Sequence, residues 1–220
     1  MKEIVVFGIG QFADAAWYYL TYFSEYKVVA YTVEEDYMGE IEEFHGRPVV
    51  PWEEIEKHHS PFHHGMLVLT SFRDVNRLRE RLYRKAGEKG YPLISFVHPD
   101  STICTDRIGD NCFITEHNTI NPFVEIGDDV VIWSNNHIGH HTKIGDHCFI
   151  SSECCISGAV TLGERVFVGV NATIRDNVEI GEGCIIGAGA VVTTSLPPDT
   201  VIVPARSVII PHKSYELEKI

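Results

Sequence analysis

After residue 100 the chain keeps one beat. An aliphatic side chain recurs every six residues at Ile108, Ile114, Ile120, Ile126, Ile132, Ile138, Ile144, Ile150, Ile156, Leu162, Val168, Ile174, Ile180 and Ile186, without a slip. Four residues after most of these comes a small or β-branched residue, as at Cys112, Val130, Thr142, Cys148, Cys154, Ala172 and Cys184. Glycine directly follows the aliphatic residue at Gly109, Gly127, Gly139, Gly145, Gly163, Gly169, Gly181 and Gly187. This pattern predicts a β-solenoid. Each hexad makes one short flat strand and a turn, with the aliphatic and the small side chain pointing inward. One hexad cannot bury its apolar residue alone, but stacked coils can. Three hexads per coil give a triangular prism of 18-residue turns, stacked at the strand spacing of ~4.8 Å. The period does not set the hand of the coil, and parallel crossovers are normally right-handed.

Residues 1 to 95 have a different pattern. Strands are predicted at 2–8, 26–33, 66–71 and 92–97, and helices at 11–26, 51–59 and 73–90. Pro51 is read as a first helical residue, and Gly87 and Gly90 as the stop of the last helix. Strands alternating with helices imply a parallel sheet. Gly8 and Gly10, with Ala13 in a third glycine's place, follow the first strand. Such a turn can present amides to a phosphate. An acid at Glu34, Glu35 or Asp36 can accept a ribose hydroxyl. At ~95 residues the unit is too short for two mononucleotide halves, which favours one nucleotide over NAD. The expected organisation is a small αβ Rossmann-like domain (1–95), a parallel β-helix (96–210) and a tail (211–220).

Charge narrows the partners. Eighteen Lys and Arg against 31 Asp and Glu give a formal charge of −13. Such a chain repels nucleic-acid backbones and anionic lipid. No apolar run approaches the ~20 residues of a membrane span, and MKEIVVFGIG is not a signal peptide. A cytoplasmic location is expected, with the cysteines as thiols. Cys112, Cys148, Cys154 and Cys184 fall on the small inward site, where a thiol is an apolar filler. No Cys-x-x-Cys pair or zinc-ligand spacing occurs, so no metal is expected.

Twelve histidines are many for 220 residues. Five lie in the hexads: His117, His137, His140, His141 and His147. His140 stands two residues after the inward Ile138, and Pro122 and Gly158 stack 18 residues below and above it. With such small neighbours, an outward imidazole there can reach a ligand. His117, Asn135 and Glu153 share another column.

The runs IGDDVVIWSNNHIGHHTKIGDHCFI and IGEGCIIGAGAVV resemble the left-handed β-helix acyltransferases. Nearly the whole chain resembles one subgroup, the sialic acid O-acetyltransferase and bacillosamine N-acetyltransferase family. That resemblance implies a left-handed coil and a homotrimer with acetyl-CoA in grooves between prisms. It implies acetyl transfer to an amino or hydroxyl group of a nucleotide-linked sugar for bacterial surface glycans. Acetyl-CoA is then a co-substrate, and no cofactor is held permanently. His140 matches the family's general base, and an imidazole suits that role because its ordinary pKa is near ~6.5. An acid usually follows the base; here His141 stands in that place, with Glu116 or Glu153 as substitute acids. The acetyl-CoA positions carried over are Phe149, Gly158, Val170, Asn171, Ala188 and Arg206, the last in an ending VIVPARSV that has Ile202 where glycine is usual. The substrate positions are Gly8, Ile9, Gly10, Thr32, Val33, Thr70 and Ser71.

Two alternatives stand beside this reading. A zinc hydratase of the carbonic-anhydrase type also uses histidines on a hexad prism, and it needs three ligands in one interfacial cluster. A non-catalytic scaffold would bind the nucleotide sugar and transfer nothing.

Overall fold

The hexads become three flat faces. The computed structural model describes residues 2–207 and Pro211. Two-residue strands, each ending on the inward aliphatic residue, pair in parallel with strands 18 residues away, as Phe113–Ile114 with Val131–Ile132 and His137–Ile138 with Cys155–Ile156. The first face runs from Phe96–Val97 to Val201–Ile202, the second from Thr102–Ile103 to Val191–Val192, and the third from Glu125–Ile126 to Glu179–Ile180. The coil is a left-handed parallel β-helix. Its interior is the predicted column of Ile, Val, Leu, Cys and Ala side chains, nearly all shut off from solvent. Fully burying each large aliphatic contributes about 1.5–3 kcal/mol. The inward thiols of Cys112, Cys148 and Cys154 each meet a carbonyl oxygen of the next turn at 3.1–3.2 Å. Burial pushes the first two up to about 12 and the third to about 11, so they remain thiols.

The corners explain a second period. Every sixth residue from Asn111 through His117, Asp129, Asn135, His141, His147, Asn171 and Asn177 to Gly189 has positive φ. That left-handed turn is costly for most L-residues and is best tolerated by Gly, Asn, Asp and His. Three of the five hexad histidines therefore have a backbone reason for their position. His140 has none.

The front domain is a five-stranded sheet. Its elements are β1 (Lys2–Phe7), α1 (Gln11–Phe23), β2 (Tyr26–Val33), α2 (Glu35–Met38), β3 (Glu43–Phe44), β4 (Arg47–Pro51), α3 (Ile55–His58), β5 (Gly65–Val68) and α4 (Arg77–Glu88), in sheet order β3-β4-β2-β1-β5. All pairings are parallel except the β3–β4 hairpin. Three expectations are corrected here. Pro51 ends β4 instead of opening a helix, because Val49–Pro51 extends the sheet beside β2, and only Ile55–His58 is helical. The stretch 92–97 is not one strand. Leu93 makes a single bridge to Met66, while Phe96–Val97 is the first rung of the prism. The helix predicted from 73 starts at Arg77, after Asp74, Val75 and Asn76 turn through left-handed conformations.

The two parts are joined by an aromatic layer and a polar staple. Phe113, Val131 and Phe149 point outward from the first face and are buried with Phe12 of α1, whose ring lies 5.7 Å from Phe113 and 5.3 Å from Trp133. Arg79 of α4 is fully buried. Its guanidinium bonds Asp129 Oδ1 at 3.1 Å and the carbonyls of Asp129, His147 and Cys148 at 2.7–3.1 Å. Asn111 and His147 supply further partners of Asp129, at 2.7 and 2.8 Å. No helix among the described residues is long and apolar enough to cross a membrane.

Candidate functional site

The carboxyl ends of β1, β2 and β5 open on a cavity of about 610 Å³. This is where open αβ sheets bind ligands. Gly8, Ile9, Gly10, Val33, Thr70 and Ser71, all expected at the substrate, line it. Gly8 has φ +134°, and a Cβ there would stand 2.5 Å from the Leu69 carbonyl oxygen, so only glycine lets the turn pass. Thr32 does not line the cavity. It is fully buried one residue short of the wall, and its carbonyl accepts the Gly8 N–H at 2.9 Å. Glu34, named as a ribose acceptor, is on the wall, but Arg81 grips both its oxygens at 2.7 and 2.9 Å and Lys85 adds a bond at 2.6 Å. These cations hold its carboxyl down at about 2. The sequence reading missed Gln11, Tyr37, Phe72, Arg73 and Trp133, which also line the cavity. Phe149 belongs here too. Assigned to acetyl-CoA by resemblance, it is buried in the cavity wall, with Phe72 at 5.3 Å and Phe167 stacked at 5.5 Å.

The remaining candidates lie along the edges of the second face. His140 and Gly158 stack on the corner between the second and third faces. The imidazole lies directly against the open side of Gly158, where a Cβ would meet its ring atoms at 2.9–3.2 Å. The amides of Ser157 and Ala159 are engaged with Ile174 O and His140 O. Both histidines of the pair are exposed, and His140 Nδ1 lies 3.1 Å from His141 Nδ1. Val170, Asn171 and Ala188 are exposed on the other edge, between the first and second faces. Arg206 is exposed beyond the last strand. Val208 of the same motif, and the tail apart from Pro211, fall outside the described residues. A single chain therefore separates His140 and Gly158 from Val170, Asn171 and Ala188 by the width of one face.

Neither substitute acid reaches His140 within the chain. Glu116 and Glu153 are both on the far corner, Glu153 accepting a bond from Asn135 at 2.9 Å and Glu116 beside the Tyr19 hydroxyl, which it and burial push upward. Among the described residues of one chain, no three His, Cys, Asp or Glu side chains converge to hold a metal. A zinc-hydratase cluster would have to be assembled between copies.

The three faces differ in what they present. The first face is apolar, and its rungs from Phe96 to Phe167 are packed under the front domain. The third carries Arg107, Glu125, Lys143 and Glu179, as a solvated surface does. The second offers Thr119, His137, Cys155 and Val191, exposed, and its strands hold no Lys, Arg, Asp or Glu.

Residues 123–158 and 159–194 match the model of the bacterial transferase hexapeptide (six repeats). Both matched stretches lie in the prism, whose repeats and left-handed β-helix are those of the hexapeptide acetyltransferases. Among solved structures, a variant of perosamine N-acetyltransferase from Caulobacter crescentus, in complex with CoA and GDP-perosamine, is 27% identical at a TM-score of 0.81, over 90% of this chain and 92% of that one. The acetyltransferase domain of PglB from Neisseria gonorrhoeae FA1090 is 21% identical at 0.73, over 91% and 96%. WeeI from Acinetobacter baumannii AYE is 19% identical at 0.78, over 92% and 97%. No curated protein sequence matches. The likeness to the Caulobacter enzyme spans the front domain as well as the prism.

Proposed function

We propose that the chain transfers an acetyl group from acetyl-CoA to an amino group of a nucleotide-linked sugar, with His140 as general base, in a homotrimer whose sites lie between copies. One observation carries the proposal: the candidate groups are divided between the two edges of the one exposed face whose strands hold no Lys, Arg, Asp or Glu. When three such faces surround a common axis, the His140 edge of each chain meets the Ala188 edge of the next. This is a heterologous contact that closes into a ring. The nucleotide occupies the front cavity. Its far wall, at Trp133 and Phe149, leads to the edge that carries Val170 and Ala188, so the sugar end emerges where the neighbour's His140 waits. The Caulobacter enzyme in complex with CoA and GDP-perosamine supports this choice of ligands.

The chemistry needs no covalent enzyme intermediate. The sugar nitrogen attacks the acetyl carbonyl and forms an N–C bond. Its proton passes to His140 Nε2. The tetrahedral oxyanion is held by a backbone amide, for which Gly158 N–H is the candidate. Collapse breaks the C–S bond, and the CoA thiolate takes the proton back from His140. Thiol release from acetyl-CoA should appear with at least one member of a panel of GDP-, UDP-, dTDP- and CMP-linked amino sugars. Silence across that panel, with O-acetylation of a sialic-acid-type sugar instead, would overturn amine transfer. Silence in both would leave a binding scaffold.

A further inference from the structure

We infer that His141 is the positioning residue for His140: as a neutral acceptor at Nδ1 it keeps the His140 proton on Nδ1 and leaves Nε2 bare. The inference rests on the proposed role of His140 and names the group that works where relatives are expected to place an acid. Two imidazole nitrogens 3.1 Å apart share a single hydrogen. With that hydrogen on His140, its Nε2 carries a lone pair and can take a proton from an attacking amine. With the hydrogen on His141, neutral His140 would have to carry its own proton on Nε2 and could accept nothing there.

His141 is held independently of its partner. Its backbone sits in the left-handed corner at φ 61°, its amide donates to Pro122 O at 3.2 Å, and Phe123 lies over its ring at 4.7 Å. His140 is held between this ring and Gly158, where the missing side chain makes room for it.

The surroundings leave the pair without a charged partner. The corner below contributes Pro122 and Phe123, and the one above Gly158 and Ala159, none of them titratable. Asp176, one coil further, accepts from Asn177 at 2.7 Å. On the same coil, His137 points from the second face and Lys143 from the third. Among the described residues no carboxylate comes within 4.0 Å of either ring. The orientation of His140 is therefore set by a dipole, where a carboxylate would set it by charge.

Nitrogen-15 NMR of the full chain tests this without any substrate, His140 being assigned from the signals lost in His140→Gln. At a pH where the ring is neutral, the parent should show Nδ1 protonated and Nε2 bare. His141→Gly suits the left-handed corner and removes the acceptor, so the ring should revert to the Nε2–H form that free imidazole favours. His141→Asn, equally at ease there, offers a carbonyl oxygen and should keep the Nδ1–H form. His141→Asp should also keep it and raise the His140 titration midpoint by about one pH unit, as a nearby opposite charge does. A parent ring protonated on Nε2, or an Nδ1–H form that persists in His141→Gly, would overturn the inference. A silent transfer assay leaves these spectra standing. A His140→Ala variant that still turns over would refute the base role while leaving the tautomer result intact.

Discussion

His140→Ala should lose about 10²–10⁴-fold in kcat, the usual contribution of a positioned general base, while acetyl-CoA binding stays within a few-fold of the parent. The direction follows from the site. His140 is exposed, and its one side-chain hydrogen bond is to His141. Its removal opens no core and strands no buried charge, so the melting temperature should hardly move. What disappears is the acceptor for the proton that must leave the attacking amine. The CoA positions on the opposite edge are untouched. Equilibrium binding of CoA beside steady-state kinetics separates the two effects. A fall in CoA affinity with kcat preserved would make His140 a binding residue. Equal kcat would remove it from the chemistry.

The second large effect is on stability. Arg79→Leu should destabilise the fold by about 3–5 kcal/mol, because it leaves the Asp129 carboxylate buried without its cation. Arg79 and Asp129 are both completely shielded from solvent, and Arg79 also satisfies three backbone carbonyls of the prism. At this chain length that loss is roughly a 10 °C fall in Tm. Coupling decides the cause. Adding Asp129→Leu to Arg79→Leu removes the stranded charge, so the double variant should be more stable than the sum of the singles, with an interaction energy of about 1–3 kcal/mol. Strict additivity in urea melts would show that the pair is not coupled. Arg79 belongs to α4 and its partners to two successive coils, so the single variant should also loosen the front domain on the prism. Proteolysis at the 89–95 connection would report that loosening.

Most of the prism was written in the hexads, since an inward residue every sixth position leaves no other way to bury the column. The ends of the coil were not. Phe96 pairs with Phe113 and Val201 with Ile185, so the first and last turns are 17 and 16 residues long, each offset read directly from the register. Shortened turns break the spacing that made the others visible. The left-handed corner column, mostly Asn, Asp, His and Gly but interrupted by Phe123, Glu153, Ala159 and Arg165, was present in the sequence and would have explained His117, His141 and His147. The hairpin of Glu43–Phe44 with Arg47–Pro51 escaped because helical spacing after Pro51 outweighed two short strands, of which only the second joins the sheet, beside β2. At the site, glycine spacing found the cavity turn, but Arg73, Trp133 and the grip of Arg81 on Glu34 depend on packing between elements far apart in the chain. Period alone also could not show that His140 and Ala188 stand on opposite edges of one face. That requires the coil to be built, and under the proposed function it makes one chain an incomplete site.

Mixing two inactive variants tests that division most directly. His140→Ala keeps the Ala188 edge, and Ala188→Trp, which fills the groove proposed for acetyl-CoA, keeps the His140 edge. Unfolded and refolded together in equal amounts, random trimers should regain about a quarter of parental turnover, because one interface in four unites two intact edges. A mixture as inactive as either variant alone, although the trimers have exchanged subunits, would mean that both edges serve a site within one chain.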